Sequence, residues 1–242
     1  NEGSNSVSIL KNKGNTGSIT VSSFETKVDF TTGNNPRDLA IGDIDGDGKP
    51  DIATSNFTGN SISIIRNTSI LGLINATSFA NKVDFTVGAG PWGITLGDFD
   101  GDDNLDIFVA NTSGGIVSAL RNTSTVGSIS TSSFGYSGNA TSVSMGDIDG
   151  DGKPDFAVAN NDLVSVYKNT SIAGTIGAGS FSAKVDFTAA ASLYRIALGD
   201  FDGDSKLDIA VVNHTNNNIS VFRNTVATTS TTPSISSFTP SS

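Results

Sequence analysis

Cysteine is absent from the chain, and histidine, methionine and tryptophan occur once each. Without cysteine there is no disulfide scaffold and no Cys-ligated zinc or iron–sulfur site. The one imidazole, His214, lies in a polar His-Thr-Asn-Asn-Asn turn and reads as a surface loop residue, which leaves a Ser–His nucleophile with little support. Cationic side chains are scarce: 14 Lys and Arg stand against 24 Asp and Glu, for a formal net charge of −10. Phosphate neutralisation needs a basic stripe, so the balance argues against a nucleic-acid partner. No stretch approaches the ~18 apolar residues of a membrane span, so direct membrane insertion is not expected. No P-loop, G-x-S-x-G elbow, basic-then-apolar leader or initiator methionine is present, and the chain reads as a piece of something longer. With 36% apolar residues and 27 glycines, the 242 residues can still bury a core in one or two domains.

The acidic residues that are present are concentrated. Sixteen of them form four copies of D-x-D-x-D-x-x-x-D: Asp43, Asp45, Asp47 and Asp51; Asp98, Asp100, Asp102 and Asp106; Asp147, Asp149, Asp151 and Asp155; and Asp200, Asp202, Asp204 and Asp208. Carboxylates so close repel one another unless a cation joins them, so the pattern reads first as a metal site. Positions 1, 3 and 5 converge when the chain curls into a tight loop, and position 9 closes the shell. Position 7 adds its backbone carbonyl at Lys49, Asn104, Lys153 and Lys206. Hard oxygen donors select Ca²⁺, with Mg²⁺ second, giving four expected Ca²⁺ sites. Position 6 needs a left-handed turn, and Gly48 and Gly152 suit it; Asp103 and Ser205 stand there in the other two copies, where weaker binding is expected. An EF-hand is rejected, because loop position 12 holds Thr54, Val109, Val158 and Val211 rather than Glu, and the flanks have strand chemistry.

The first Asp of each loop recurs at spacings of 55, 49 and 53 residues, the period of a propeller blade. Four β segments fall in each repeat: an inner one at 37–43 (then 92–98, 141–147 and 194–200), a second at 51–55, a third at 61–66 and a fourth at 78–85, repeated at 180–187 and 23–30. The fourth segment near Ser133-Phe134 is shorter and poorly matched. The expected fold is therefore all-β, a β-propeller of four-stranded antiparallel blades with about four to five blades present. Its divisions are a partial blade at 1–30, repeats at about 31–85, 86–138, 139–187 and 188–227, and a Ser/Thr/Pro-rich linker at 228–242 whose SISSFTP stretch reads as the start of an immunoglobulin-like module.

The segments GDIDGDGKPDIATSN, GDFDGDDNLDIFVAN, GDIDGDGKPDFAVAN and GDFDGDSKLDIAVVN resemble FG-GAP/VCBS repeats, the family of the integrin α-subunit propeller, over roughly residues 5–224. The resemblance implies a seven-bladed propeller of which this is a part, with Ca²⁺ between the first two strands of a blade. It also implies an extracellular or cell-surface setting among adhesion, matrix or carbohydrate-associated proteins.

Six residues before each loop's first Asp stand Arg37, Trp92, Thr141 and Tyr194, at the end of the inner strand opposite the loops. Arg37, Trp92 and Tyr194 suit sugar or protein contacts, against a plainer reading as inter-blade packing. The basic residues ending the third strand (Lys11, Arg66, Arg121, Lys168 and Arg223) read as solvated strand ends or turn contacts, and the Asn-x-Ser/Thr triplets at Asn67, Asn122, Asn169 and Asn213 as chance in an Asn/Thr/Ser-rich chain. The expected function is a non-catalytic, Ca²⁺-stabilised propeller of a secreted or surface protein, with an extracellular protein or polysaccharide as ligand. The alternatives are a carbohydrate-binding module or an accessory region of a secreted enzyme.

Overall fold

A computed structural model describes residues 1–14, 17–113, 116–124, 131–137, 141–173, 175–176, 179–189, 192–226 and 238–240, with the backbone alone for 116, 131–137 and 238–240. It is all-β among these residues. A two-stranded sheet, β1 (Ser6–Ile9) with β2 (Val28–Thr31), comes first. Four antiparallel meanders follow, each of four strands in chain order. Blade 1 is β3 (Pro36–Gly42), β4 (Asp51–Asn56), β5 (Ser61–Ile65) and β6 (Val83–Thr86). Blade 2 is β7 (Pro91–Gly97), β8 (Asp106–Asn111), β9 (Ile116–Asn122) and β10 (Thr131–Ser137). Blade 3 is β11 (Ser142–Gly146), β12 (Asp155–Asn160), β13 (Leu163–Tyr167) and β14 (Val185–Thr188). Blade 4 is β15 (Leu193–Gly199), β16 (Asp208–Asn213), β17 (Asn218–Asn224) and β18 (Phe238–Pro240). These sheets are the expected blades.

The core lies between blades rather than within them. Ile44, Ala53, Ile62 and Ile64 of blade 1 meet Ile94, Ile107, Val109 and Leu120 of blade 2. Between blades 2 and 3 the filling is aromatic, with Phe99 and Phe108 against Phe156, Tyr167 and Phe181. Ile148, Val164 and Val166 of blade 3 meet Ile196, Ile209, Val211 and Phe222 of blade 4. A second strand is thus sandwiched on both faces, and β4 and β8 are buried along their whole length. That is why their sequences read as continuous apolar and small residues rather than alternating ones.

Three expectations change in detail. The fourth strand is interrupted: an isolated bridge joins Asn67 to Phe79, and Asn169 to Phe181, before β6 and β14 begin at Val83 and Val185. The segment at Ser133-Phe134, expected to be short, is a seven-residue strand paired along all of β9. Within the stretch read as a linker, Phe238–Pro240 pairs with β17 as the fourth strand of blade 4. The Asn224–Phe238 pair there repeats Asn67–Phe79, so Ser236-Ser237-Phe238 is the blade's own Ser-Phe signal; residues 227–237, 241 and 242 lie outside the described set. The inner strands also differ among themselves: Leu39 and Ile41 stay exposed, whereas their counterparts Ile94, Leu96, Ile196 and Leu198 join the core. The sheet before blade 1 has two strands and leaves that face of β3 uncovered.

Candidate metal centre

Each Asp loop is a tight turn between the first and second strands of a blade, stitched by its own carboxylates. The position-1 carboxylate accepts backbone N–H bonds from positions 5 and 6: Asp43 from Asp47 and Gly48 (3.0 and 2.8 Å), and Asp147 from Asp151 and Gly152 (3.0 and 2.9 Å). Position 6 is left-handed in every copy, with φ of 84° at Gly48, 66° at Asp103, 86° at Gly152 and 67° at Ser205. The two non-glycine copies therefore carry the backbone strain that the sequence predicts.

The position-9 carboxylate is buried and doubly held. Asp106 accepts from Asn122 N (2.7 Å) and Phe99 N (3.0 Å), and Asp155 from Asn169 N (2.7 Å) and Ile148 N (3.0 Å). Asp51 and Asp208 repeat the arrangement. Burial pushes Asp106 and Asp155 up to about 7, against the pull of these N–H bonds, and it raises Asp51 in the same direction.

The carboxylates that converge are those of positions 1, 3 and 9. Asp43, Asp45 and Asp51, and the three equivalent triplets, each bring one oxygen apiece to within 4.8 Å of the others. The position-5 carboxylates turn elsewhere: Oδ1 of Asp47, Asp102, Asp151 and Asp204 accepts the position-7 N–H at 2.9 to 3.0 Å. The backbone of Lys49, Asn104, Lys153 and Lys206 is thereby fixed at the loop.

Of the two readings of the basic residues that end the third strands, the turn contact describes those beside an Asp loop, although Arg223 stays half exposed. Arg121 bridges Asp100 (2.5 Å) and Asp102 (2.6 Å), Lys168 bridges Asp149 and Asp151, and Arg223 bridges Asp202 (2.5 Å) and Asp204 (3.4 Å). Arg66 lies 3.6 Å from Asp45, while Lys11, which has no Asp loop in its sheet, pairs with Glu25. Their recurrence at a fixed place in a repeat with an acidic loop was the signal. The asparagines that follow three of these residues, Asn67, Asn122 and Asn169, are buried, as is Asn213 at the end of β16, so the triplets at these positions are not open acceptor sites for glycans.

Do these residues fit a cation? In the second loop a fully buried position-3 oxygen, Asp100 Oδ1, has no hydrogen-bond partner, and in the first loop Asp45 Oδ2 has none, with only the Arg66 guanidinium 3.6 Å away. Each of these residues belongs to a triplet whose three carboxylates converge, the chemistry that a hard cation satisfies. The residues fit. Positions 1, 3 and 9 would hold the ion, and its charge would offset the repulsion among them.

The opposite end of the inner strands carries the other expected group. Arg37 lies over the rings of Trp92 (4.7 Å) and Phe57 (5.2 Å). Trp92 meets Phe57 and Tyr194 edge-on at 5.5 and 5.6 Å, and Tyr194 stacks on His214 at 5.7 Å. Arg195 reaches from blade 4 to Asp38 of blade 1 at 2.5 Å. The structure thus gathers Arg37, Trp92 and Tyr194, and adds Phe57 and His214. Both additions follow the asparagine that closes a second strand, a shared repeat position that would have revealed them. Thr141, the fourth residue of the set, instead hydrogen-bonds Ala159 and Leu193 carbonyls.

A family model described as "FG-GAP-like repeat" matches residues 1–54, 98–158 and 147–211, more than half of the chain. The chain belongs to this family. Its FG-GAP-like repeats coincide with the Asp loops and with the meander strands around them. No curated protein matches the chain. Among solved structures, the V. cholerae biofilm matrix protein Bap1 is similar at 20% identity and a TM-score of 0.45, over 77% of this chain. The chain spans about a quarter (26%) of that protein's length. No helix among the described residues is long and apolar enough to cross a membrane.

Proposed function

We propose that this FG-GAP-like repeat chain is a non-catalytic, Ca²⁺-stabilised propeller region of a secreted or cell-surface protein, serving adhesion or ligand binding. The observation that carries the metal reading is the buried, partnerless Asp100 Oδ1 in the convergent triplet of Asp98, Asp100 and Asp106. Ca²⁺ is favoured over Mg²⁺, because a shell built from several protein carboxylates suits the larger ion, whereas Mg²⁺ keeps most of its waters. The carboxylates are engaged at hairpin turns with backbone and strand-end cations, which suits a structural role. Extracellular Ca²⁺ modules bind at ~10⁻⁴–10⁻³ M. At a tenfold excess of Ca²⁺ each site contributes about 1.4 kcal/mol, so roughly 5–6 kcal/mol for four. Excess EGTA is therefore expected to lower the melting temperature markedly, and added Ca²⁺ to restore it. An identical melt with and without EGTA would remove the structural-metal reading.

A second reading, a carbohydrate-binding face, is favoured by the ring cluster of Arg37, Phe57, Trp92, Tyr194 and His214. Aromatic rings with cations and carboxylates at their rim match the apolar faces and hydroxyls of a sugar. On a glycan array, the expected result is binding that disappears in Trp92→Ala. Binding that survives this substitution places the ligand elsewhere, and the cluster is then inter-blade packing.

A further inference from the structure

Between successive blades one asparagine serves two loops at once. Asn122 donates its backbone N–H to Asp106, position 9 of its own loop (2.7 Å), and its side-chain Nδ2 to the Ile44 carbonyl in the preceding loop (2.7 Å). Asn169 does the same for Asp155 and the Phe99 carbonyl (2.7 and 2.8 Å), and Asn224 for Asp208 and the Ile148 carbonyl (2.7 and 2.8 Å). Each of these side chains also reaches position 8 of its own loop, at Leu105, Pro154 and Leu207. Its Oδ1 accepts a turn N–H two residues on.

The carbonyl so captured belongs to loop position 2, whose own N–H is bound by that loop's position-9 Asp. Ile44 N lies 3.0 Å from Asp51, Phe99 N 3.0 Å from Asp106 and Ile148 N 3.0 Å from Asp155. The hydrogen bonds therefore form one relay: Asp51, Ile44, Asn122, Asp106, Phe99, Asn169, Asp155, Ile148, Asn224, Asp208. Every residue in it is buried. It passes through the position-9 carboxylate of all four Asp loops.

We propose that Asn122, Asn169 and Asn224 are positioning residues that couple cation binding between adjacent blades, an inference that rests on the cation reading above. Fixing a position-9 carboxylate on an ion fixes the two N–H groups that carboxylate holds. One belongs to position 2, between the two other converging carboxylates. The other belongs to the asparagine whose side chain grips the neighbouring loop. An ion bound in one loop thus orders part of the next, which then loses less freedom on binding its own ion. Hydrogen bonds of a buried chain also polarise one another. Binding is positively cooperative, and occupancy of one loop strengthens its neighbour by a factor in the range of about 5–150.

Asn67 supplies the control. Its N–H holds Asp51 in the same way, and its side chain bonds the Pro50 carbonyl of its own loop, without a bond to a preceding Asp loop. The unmodified chain, stripped of metal, is titrated with Ca²⁺ alone by calorimetry, alongside Asn67→Ala, Asn122→Ala, Asn169→Ala and Asn224→Ala. Wild type and Asn67→Ala are expected to take four ions with a Hill coefficient above 1. Asn169→Ala, which cuts the relay in the middle, is expected to keep the four ions and fall toward two uncoupled pairs. Asn122→Ala and Asn224→Ala lower the coefficient less.

Four ions bound with a coefficient of 1 or below in wild type overturn the coupling and leave the metal reading standing. Equal loss in Asn67→Ala and Asn169→Ala overturns it too, since local structure would then explain both. No ion bound at millimolar Ca²⁺ removes the metal reading itself. Hydrogen exchange of the unmodified chain tests the same point should Asn169→Ala not fold. At half-saturating Ca²⁺ the position-2 amides of Ile44, Phe99 and Ile148 are expected to gain protection together, and protection that rises loop by loop overturns the relay.

Discussion

The third and fourth Asp loops share a motif and a backbone, yet they live in different surroundings. In the third, Asp149 is fully buried and Ile148 is 2% exposed, packed into the core between blades 3 and 4. In the fourth, the Asp202 side chain is 34% exposed and Phe201, the counterpart of Ile148, is 55% exposed. The hydrogen bonds within the two loops are nearly superimposable. What differs is the asparagine turn of a following blade, which covers the first three loops. Motif residues shape the loop, and a neighbouring blade sets its dielectric. A cation site of one sequence is thereby made into two electrostatic kinds.

Substitutions can sharpen or break that contrast. The largest difference is expected at position 2. Phe99→Ala empties a site enclosed by Phe108, Phe156 and Phe181 and should cost about 3–5 kcal/mol, whereas Phe201→Ala should stay within about 0.5 kcal/mol. Equal losses in denaturant titrations would show that the fourth loop is covered after all.

The strand-end cations come next. In chelator, Lys168→Ala leaves the buried Asp149 unpaired and should cost roughly 3 kcal/mol. Arg223→Ala removes an exposed, solvent-screened pair and should leave the melt almost unchanged. The same melts in saturating Ca²⁺ should narrow the gap, because the ion then balances Asp149.

The smallest effect is on pH dependence. With Asp106 and Asp155 near 7 in the folded chain and near 3.9 unfolded, the folded state holds these protons more tightly. The contribution is fully present below about pH 4 and is lost as pH rises to about 7, so the metal-free protein loses stability over that window. Asp155→Asn should flatten the fall in melts run in EGTA from pH 5 to pH 8. Saturating Ca²⁺ should reverse it, since an ion favours the ionised carboxylates and its stabilisation is lost on acidification. A metal-free slope that Asp155→Asn leaves unaltered would contradict the burial of that carboxyl.

Much of this was legible in the chain itself. The Asp spacing announces the loops, and the recurrence of about fifty residues announces the blades, because both arise from local geometry that repeats. The gathering of Arg37, Trp92 and Tyr194 was legible for the same reason: one repeat position maps to one rim. Partnerships between repeats were not. Asn122 and Ile44 are 78 residues apart, and nothing at either position says that they touch. Nor does the sequence reveal that positions 1, 3 and 9 converge while position 5 turns to its own backbone. Four carboxylates at alternate places satisfy a loop in more than one way, and the neighbouring cation decides between them. The end of blade 4 was misread because Ser and Thr composition outweighed the short Ser-Phe signal.

The placement of the core between blades has a consequence for heredity as well as for folding. Blade 2 turns Ile94, Ile107, Val109 and Leu120 to the blade before it, and Phe99 and Phe108 to the blade after it. Each repeat is thus two-faced, like a tile whose left and right edges are cut to different patterns. Repeats multiply by duplication, but a copied blade fits only where its edges meet their complements. Shuffling blade 2 with blade 4 would set aromatic faces against aliphatic ones and leave voids. The aromatic seam therefore records the order of the blades, and a lineage that gained or lost one would have to recut the seam on both sides.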